Sequence, residues 1–546
     1  MFKHKHGRGA GVFRCFAAAA LALAAGASSA QGIRGGSAAP MARTVQEAPA
    51  EIVVRGFQVQ GDDPLGAGQS MRVLAPFIRQ PATLELLESA AAAYEQALRD
   101  RGFGLYRVAL PPQELGETVI LNVLRFAVGQ VAVSGNEHRD EANIRASLPE
   151  LREGATPNMR TLAVQTAMAN ENPGKQVQVT LRESATPDQI DASVTVRDTR
   201  PWTFGLSASN AGSEATGRNR LTVFGSHSNL FNRDQQFVGA YTTAVGNSED
   251  VQQTGLAWRV PLYSLGGVVA ATYTRSDVVG DFGAFTSTGA GHTLSVDYTL
   301  YLQPDGGRRR YLSFGIDDKL FEAVRINDMP VEGQMSRRSR PLRLGYSMRN
   351  ETDEAVTRYG MELVMNTGSG AGNDLASYQS EDPRIATVRW KALRGSASHE
   401  RSYASSWGLG LRAHWQYSPD PLISAEQFGL GGLGSVRGTR EERPISGDRG
   451  FAGSAEVTSP ALAQGLRLLA FVDAGWLGNN APTTEAKPSS DIIGSVGLGL
   501  RYGVGAFAFS ADYGRLVKGS KVGLSVNSAA PQKGDERLYV NLSVRF

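Results

Sequence analysis

The chain has one cysteine in 546 residues, Cys15, in its N-terminal segment. The rest can hold no disulfide framework and no thiol chemistry. After that segment there is no run of about 20 apolar residues, which excludes a helical membrane span. Neither sign of charge prevails: 56 Lys and Arg against 53 Asp and Glu leave a net +3. Such a balance gives no footprint for nucleic acid. Beyond the N-terminus the histidines are His138, His227, His292, His399 and His414, scattered without metal-ligand spacing. There is no G-x-S-x-G elbow. "GLGGLG", Gly429–Gly434, fits G-x-G-x-x-G, but no βαβ unit surrounds it and no apolar helix follows. The expectation is a non-enzyme with no cofactor, no metal and no catalytic residue.

What is present begins with an export signal. Lys3, Lys5, Arg8 and Arg14 precede the short apolar stretch Cys15–Ala27, and "SSA" offers small residues for cleavage after Ala30. An exported chain without a helical span is either soluble or a β-barrel, whose strands escape hydropathy because only alternate residues face lipid.

Residues 31–50 are rich in Gly, Ala and Pro and read as a flexible leader. Two similar units follow, 51–124 and 125–199. In the first, an alternating strand "EIVVRGFQVQGD" precedes a helix at Thr83–Gly102, with Leu84, Leu87, Ala91, Tyr94, Ala97 and Leu98 at helical spacing. Thr83 and Gly102 suit its two ends. Strands "FGLYRVAL" and "ETVILNVL" complete the unit. The second repeats the order: strand, two helices, two strands. The alternative is one α+β domain.

From about residue 200 the period changes to two. In "WGLGLRAHWQY", Trp407, Leu409, Leu411, Ala413, Trp415 and Tyr417 alternate with Gly408, Gly410, Arg412, His414 and Gln416. "HTLSVDYTLYLQ" and "GSVGLGLRY" alternate likewise, and "LYVNLSVRF" ends the chain on Phe546. Aromatics at strand ends and a charged second face favour a transmembrane barrel over a soluble sandwich. Residues 200–546 suffice for about 16 antiparallel strands.

In order and spacing, several stretches resemble a known family, the haemolysin secretion/activation proteins of two-partner (type V) secretion, whose barrels carry POTRA (polypeptide-transport-associated) domains. "ENPGKQVQVTLRES" resembles the second POTRA domain. "GLSASNAGSEATGRNRLTVFGSHSNLFNRDQQF" resembles the start of the barrel. "VRGTREERPISGDRG" resembles its inward-folded loop, here 428–450, and "FVDAG" the strand motif F-x-D-x-G. The resemblance implies two periplasmic α+β POTRA domains, then a barrel in the outer membrane of a Gram-negative bacterium. It implies that Val436, Arg437, Gly438 and Asp448 belong to the lumen loop. Arg437 would meet Asp473 of the wall motif formed by Phe471, Asp473 and Gly475. The implied partner is a secreted client, a large β-helical exoprotein that is recognised unfolded. Val177, Val179 and Leu181 are the expected docking positions. Lipid surrounds the barrel, which is expected to be monomeric. The alternative function is an assembly factor that inserts other barrels. Thr439 departs from the family's aromatic after V-R-G. Some members carry an N-terminal plug helix; the leader here, with Pro40 and Pro49 and little amphipathic pattern, is expected to have that helix absent or shortened.

Overall fold

The computed structural model describes residues 52–546 except 115, 215, 247, 249, 250, 283, 288, 324, 327 and 328. The expected signal (1–30) and leader (31–50) lie outside them.

The described chain starts with a three-stranded sheet. Gly56–Gly61 pairs in parallel, and Tyr106–Ala109 antiparallel, with the central strand Thr118–Arg125. Helices Ala67–Leu74 and Leu84–Asp100 cover it. The second helix starts where its cap dictates: the Thr83 hydroxyl accepts from the Leu86 amide at 3.2 Å. Leu87, Ala90, Ala91, Tyr94 and Leu98 are buried in it. Leu84 departs from the expected apolar face. As the first helical residue it lies beyond the sheet, 68% exposed. After the helix, Gly102 takes φ +93°, a left-handed conformation that suits glycine.

The next unit has the same connectivity. Ala127–Ser134 runs parallel to the central strand Gln189–Asp198, and Lys175–Glu183 runs antiparallel to it. Helices Glu141–Ser147 and Met159–Asn170 are capped by the side chains of Asp140 and Asn158. Lys175–Glu183 pairs with one strand only, so its other side is a sheet edge.

Sixteen antiparallel strands then close into a barrel, from Trp202–Ser209 to Glu536–Arg545. Closure is direct: Ser209 opposes Asn541, and Gly205 opposes Arg545. A closed ladder leaves no unpaired edge in lipid. Successive residues alternate faces. Phe314, Ile316, Leu342, Leu344, Met361, Leu363 and Leu498 are large, apolar and exposed, because this surface faces lipid rather than water. Trp202, Phe204, Phe507 and Phe546 cluster on the outside of one rim, at three adjacent strands, as girdle aromatics do. Leu302, expected in a strand, lies just past Gly291–Tyr301.

Turns at the end that receives the α+β units are short, such as 231–234, 352–354 and 505–506. Connections at the other end are long, such as 367–390 and 418–448. Short periplasmic turns and long outer loops are the barrel pattern. No described helix is long and apolar enough to cross a membrane.

Candidate functional site: an inward loop and a docked periplasmic unit

The connection 418–448 joins strands Gly408–Tyr417 and Arg449–Thr458 and does not project outward. Phe428–Leu430 pairs with Ile445–Gly447 in a hairpin. Phe428, Leu430, Val436 and Ile445 pack on Ala452, Leu477, Ile493 and Leu516 of the inner wall. Burying these side chains supplies the non-directional part of the attachment.

Arg437 supplies the directional part. Its guanidinium is 2% exposed. Nε donates to Asp473 Oδ2 at 2.8 Å and Nη2 to Asp473 Oδ1 at 2.7 Å, a two-pronged fork. The Arg437 amide also donates to Asp473 Oδ2, at 3.1 Å. Nη2 reaches Ser454 Oγ at 3.0 Å, and Nη1 lies 2.7 Å from Glu456 Oε1. The guanidinium carbon stands 3.4 Å from the centre of the Phe471 ring, a cation–π contact.

The wall motif works through the strand's period of two. Phe471, Asp473 and Gly475 are alternate residues of Leu466–Gly478, so all three face the lumen. Phe471 stacks, Asp473 accepts, and Gly475 leaves room. A Cβ on Gly475 would lie 2.5 Å from Leu430 Cδ2 and 3.2 Å from Val436 Cγ2. Gly438 has φ +101°. Its amide donates to the Tyr539 hydroxyl at 3.3 Å, which in turn donates to the Thr439 carbonyl at 3.1 Å. Thr439 is fully buried, and its Oγ1 accepts from the Gly432 amide at 2.7 Å. At this tip the aromatic ring comes from the barrel's last strand, not from position 439.

Asp448 lies elsewhere, at the loop's stem. Its carboxylate accepts from the amides of Leu422 and Asn480, at 2.9 and 2.8 Å, and from Gln427 Nε2 at 3.1 Å. It holds the loop's two ends and the connection 479–490 together, and it does not touch Arg437. Sequence reasoning missed Ser454, Glu456 and Tyr539. Their inward parity was readable, but their alignment with Arg437 comes from register: Ser454 opposes Asp473. It also missed Glu426, which receives Lys319 at 3.2 Å and Arg394 at 2.8 Å and ties the loop to strands Arg308–Phe321 and Lys391–Ser402.

The second α+β unit is joined to the barrel through buried polar groups. The turn after Arg220–Leu230, "FNRD", has positive φ at Phe231, Asn232 and Asp234. There Asp234 Oδ2 receives Lys175 Nζ at 2.5 Å and the Tyr263 hydroxyl at 2.8 Å. Arg139 Nε lies 3.5 Å from Asp234 Oδ1, and its Nη1 donates to the Gly174 carbonyl at 2.7 Å. Asn143 donates to the Asn232 carbonyl of the same turn, and Asn172 to the carbonyls of Ser228, just before it, and Asp234. Burial holds the Lys175 ammonium below its ordinary pKa while Asp234 opposes the shift. Burial and Asp234 together push the Tyr263 phenol up.

The expected docking residues face mostly inward: Val177 is in the unit's core, and Val179 and Leu181 pack against it. Asn170 occupies the edge-facing groups of Val177, giving its amide to the carbonyl at 3.0 Å and accepting from the N–H at 2.6 Å.

The family model described as "Haemolysin secretion/activation protein ShlB/FhaC/HecB" matches residues 188–502. The outer membrane transporter CdiB of Dickeya dadantii (strain 3937) is 24% identical over 432 residues, covering 76% of this chain and 74% of that one. An Escherichia coli CdiB is 25% identical over 445 residues, covering 78% and 73%. Among solved structures, CdiB from Escherichia coli superposes with a TM-score of 0.71 at 21% identity, covering 93% of both chains. CdiB from Acinetobacter baumannii gives 0.67 at 14% identity, covering 91% and 90%. The matched stretch takes in most of the barrel, with the inward loop and the strand it is clamped to, and the chain therefore belongs to the haemolysin secretion/activation protein family: it is a two-partner secretion transporter, a pore of the outer membrane that translocates a partner protein.

Proposed function

We propose that residues 51–124 and 125–199 are two POTRA domains, and that the second captures the client by strand addition beside the barrel mouth. The observation that carries this is the edge strand Lys175–Glu183. In an antiparallel pair, each residue turns both backbone groups either to its partner strand or away from it. Asn170 bonds Val177 on the outer side, so Val179 and Leu181 also present their N–H and C=O outward. The start of this strand, Gln176 to Gln178, borders a cavity of about 710 Å³ whose other wall is Arg309, Tyr311, Arg349 and Glu351 of the barrel, and the open groups of Val179 and Leu181 follow directly after it. Backbone pairing there gives affinity with little sequence demand, which suits an unfolded client. The client, a large β-helical exoprotein, then passes through a monomeric barrel, and the Arg437 clamp keeps the loop in place beside its path.

The test is Val179→Pro. Proline removes the outward N–H and leaves the ladder to Gln189–Asp198 intact, because edge strands tolerate it on the open side. The barrel should reach the membrane in normal amount while secretion of the client falls. Undiminished secretion would rule out capture at this edge.

A further inference from the structure

On the lumen wall, Arg309, Arg349 and Arg358 stand directly opposite one another on three neighbouring strands, and Arg412 extends the row beyond Ser398. Like charges directly opposite destabilise a sheet. Each guanidinium has one carboxylate near it: Glu171 at 3.8 Å, Glu351 at 2.7 Å, Glu400 at 3.3 Å and Glu456 at 2.5 Å, in that order. Glu351, Glu400 and Glu456 all lie one inward position nearer the periplasmic end. They neutralise the row from one side and leave its other side open.

On the open side the next inward positions are small: Ser347, Gly360 and Ser396. A cavity of about 620 Å³ lies there, between the wall and the loop tip at Leu433–Ser435. Its lining includes Arg349, Arg358, Arg412 and Arg437. The one carboxylate among the described lining residues, Glu171, is engaged by the hydroxyls of Tyr301 and Tyr311. Arg349 Nε is buried there without a hydrogen-bond partner. Guanidinium groups have five donors and fork onto carboxylates.

We propose that this chamber binds carboxylate side chains, receiving acidic stretches of the translocating chain as they pass the inward loop. The proposal rests on the barrel being the client's path. Each arginine exchanges a wall carboxylate for a passing one, so an acidic stretch is held briefly rather than trapped.

The test uses the full chain in detergent and a fluorescent peptide of twelve glutamates, followed by anisotropy. Binding should weaken with salt, and a lysine peptide of the same length should not bind. The triple variant Arg349→Gln, Arg358→Gln, Arg412→Gln should lose roughly tenfold or more in affinity, since charge-assisted bonds are removed. Placement is checked by Ser398→Cys, which adds a thiol beside the row, with a glutamate peptide bearing an activated disulfide. Cross-linking should occur there and not at Ala397→Cys, on the lipid face of the same strand. Equal binding of both peptides, or cross-linking at both positions, overturns the proposal even if the triple variant fails to fold; so does unchanged affinity of a folded triple variant. Secretion of the client by the unaltered transporter reads the pore separately: secretion without peptide binding defeats only the chamber, and no secretion defeats the path on which it rests.

Discussion

Gly438 and Gly514 meet with no side chain between them, one at the tip of the inward loop and one on strand Phe507–Lys518 of the wall. A Cβ on Gly438 would lie 3.0 Å from the Gly514 carbonyl carbon, and one on Gly514 would lie 3.0 Å from that of Arg437. Two backbones thus touch where Arg437 turns into its clamp. Gly514→Val should push the loop tip off the wall at a cost of about 1–3 kcal/mol, as overpacking does. The barrel should still migrate anomalously on an unheated gel, while protease cleavage within 431–443 increases. Unchanged cleavage would mean that the tip tolerates displacement.

Arg437 faces two carboxylates, Asp473 and Glu456, and this makes its partners unequal to it. Arg437→Ala leaves both acids without it in a shielded site, a loss of about 3–5 kcal/mol for a buried charge left unpaired. Asp473→Ala is milder, because Arg437 keeps Glu456 at 2.7 Å. Combining the two should be no worse than Arg437→Ala alone. Arg437→Lys keeps the charge without the fork and should rescue partly. The quantity to measure is client secreted per unit of barrel in the membrane. Simple addition of the two alanine effects would show that the residues act independently.

Asp234 compensates two fully buried cations, Arg139 and Lys175, at the joint between the second α+β unit and the barrel. Asp234→Ala should free that unit, at about 3–5 kcal/mol. Hydrogen exchange should rise in residues 127–198 and stay low in the barrel strands. Secretion should fall with it, since the capture edge would no longer be held at the barrel mouth. Protection of 127–198 equal to that of the parent protein would show that the apolar contacts at the joint suffice.

The barrel itself should be heat-modifiable. Its sixteen strands close on themselves, so no ladder end offers a starting point for unfolding. Unheated and boiled samples of the full chain should differ in gel mobility; identical mobility, with no membrane association, would contradict a closed barrel.

Much of this was legible along the chain. Period-two alternation marks which residues of Gly408–Tyr417 or Glu536–Arg545 face lipid, because a strand repeats every two residues wherever it lies. Thr83 and the apolar spacing after it mark a helix, because capping and burial act within one or two turns. Phe471, Asp473 and Gly475 share a face for the same local reason. What the alternation leaves open is which inward residues meet. Asp473 opposes Ser454, Arg349 opposes Arg358, and Tyr539 reaches the loop tip only after sixteen strands have taken one register and closed. Register is a property of pairs of strands, set by turns and packing far apart in sequence. Asp448 shows the limit: its place in a glycine- and arginine-rich stretch puts it in sequence near Arg437, yet folding carries it to the stem, where the start of the loop at Leu422 and Gln427 and the following connection at Asn480 need an acceptor. Local chemistry determined the faces of each element; closure of the barrel decided which faces share a site.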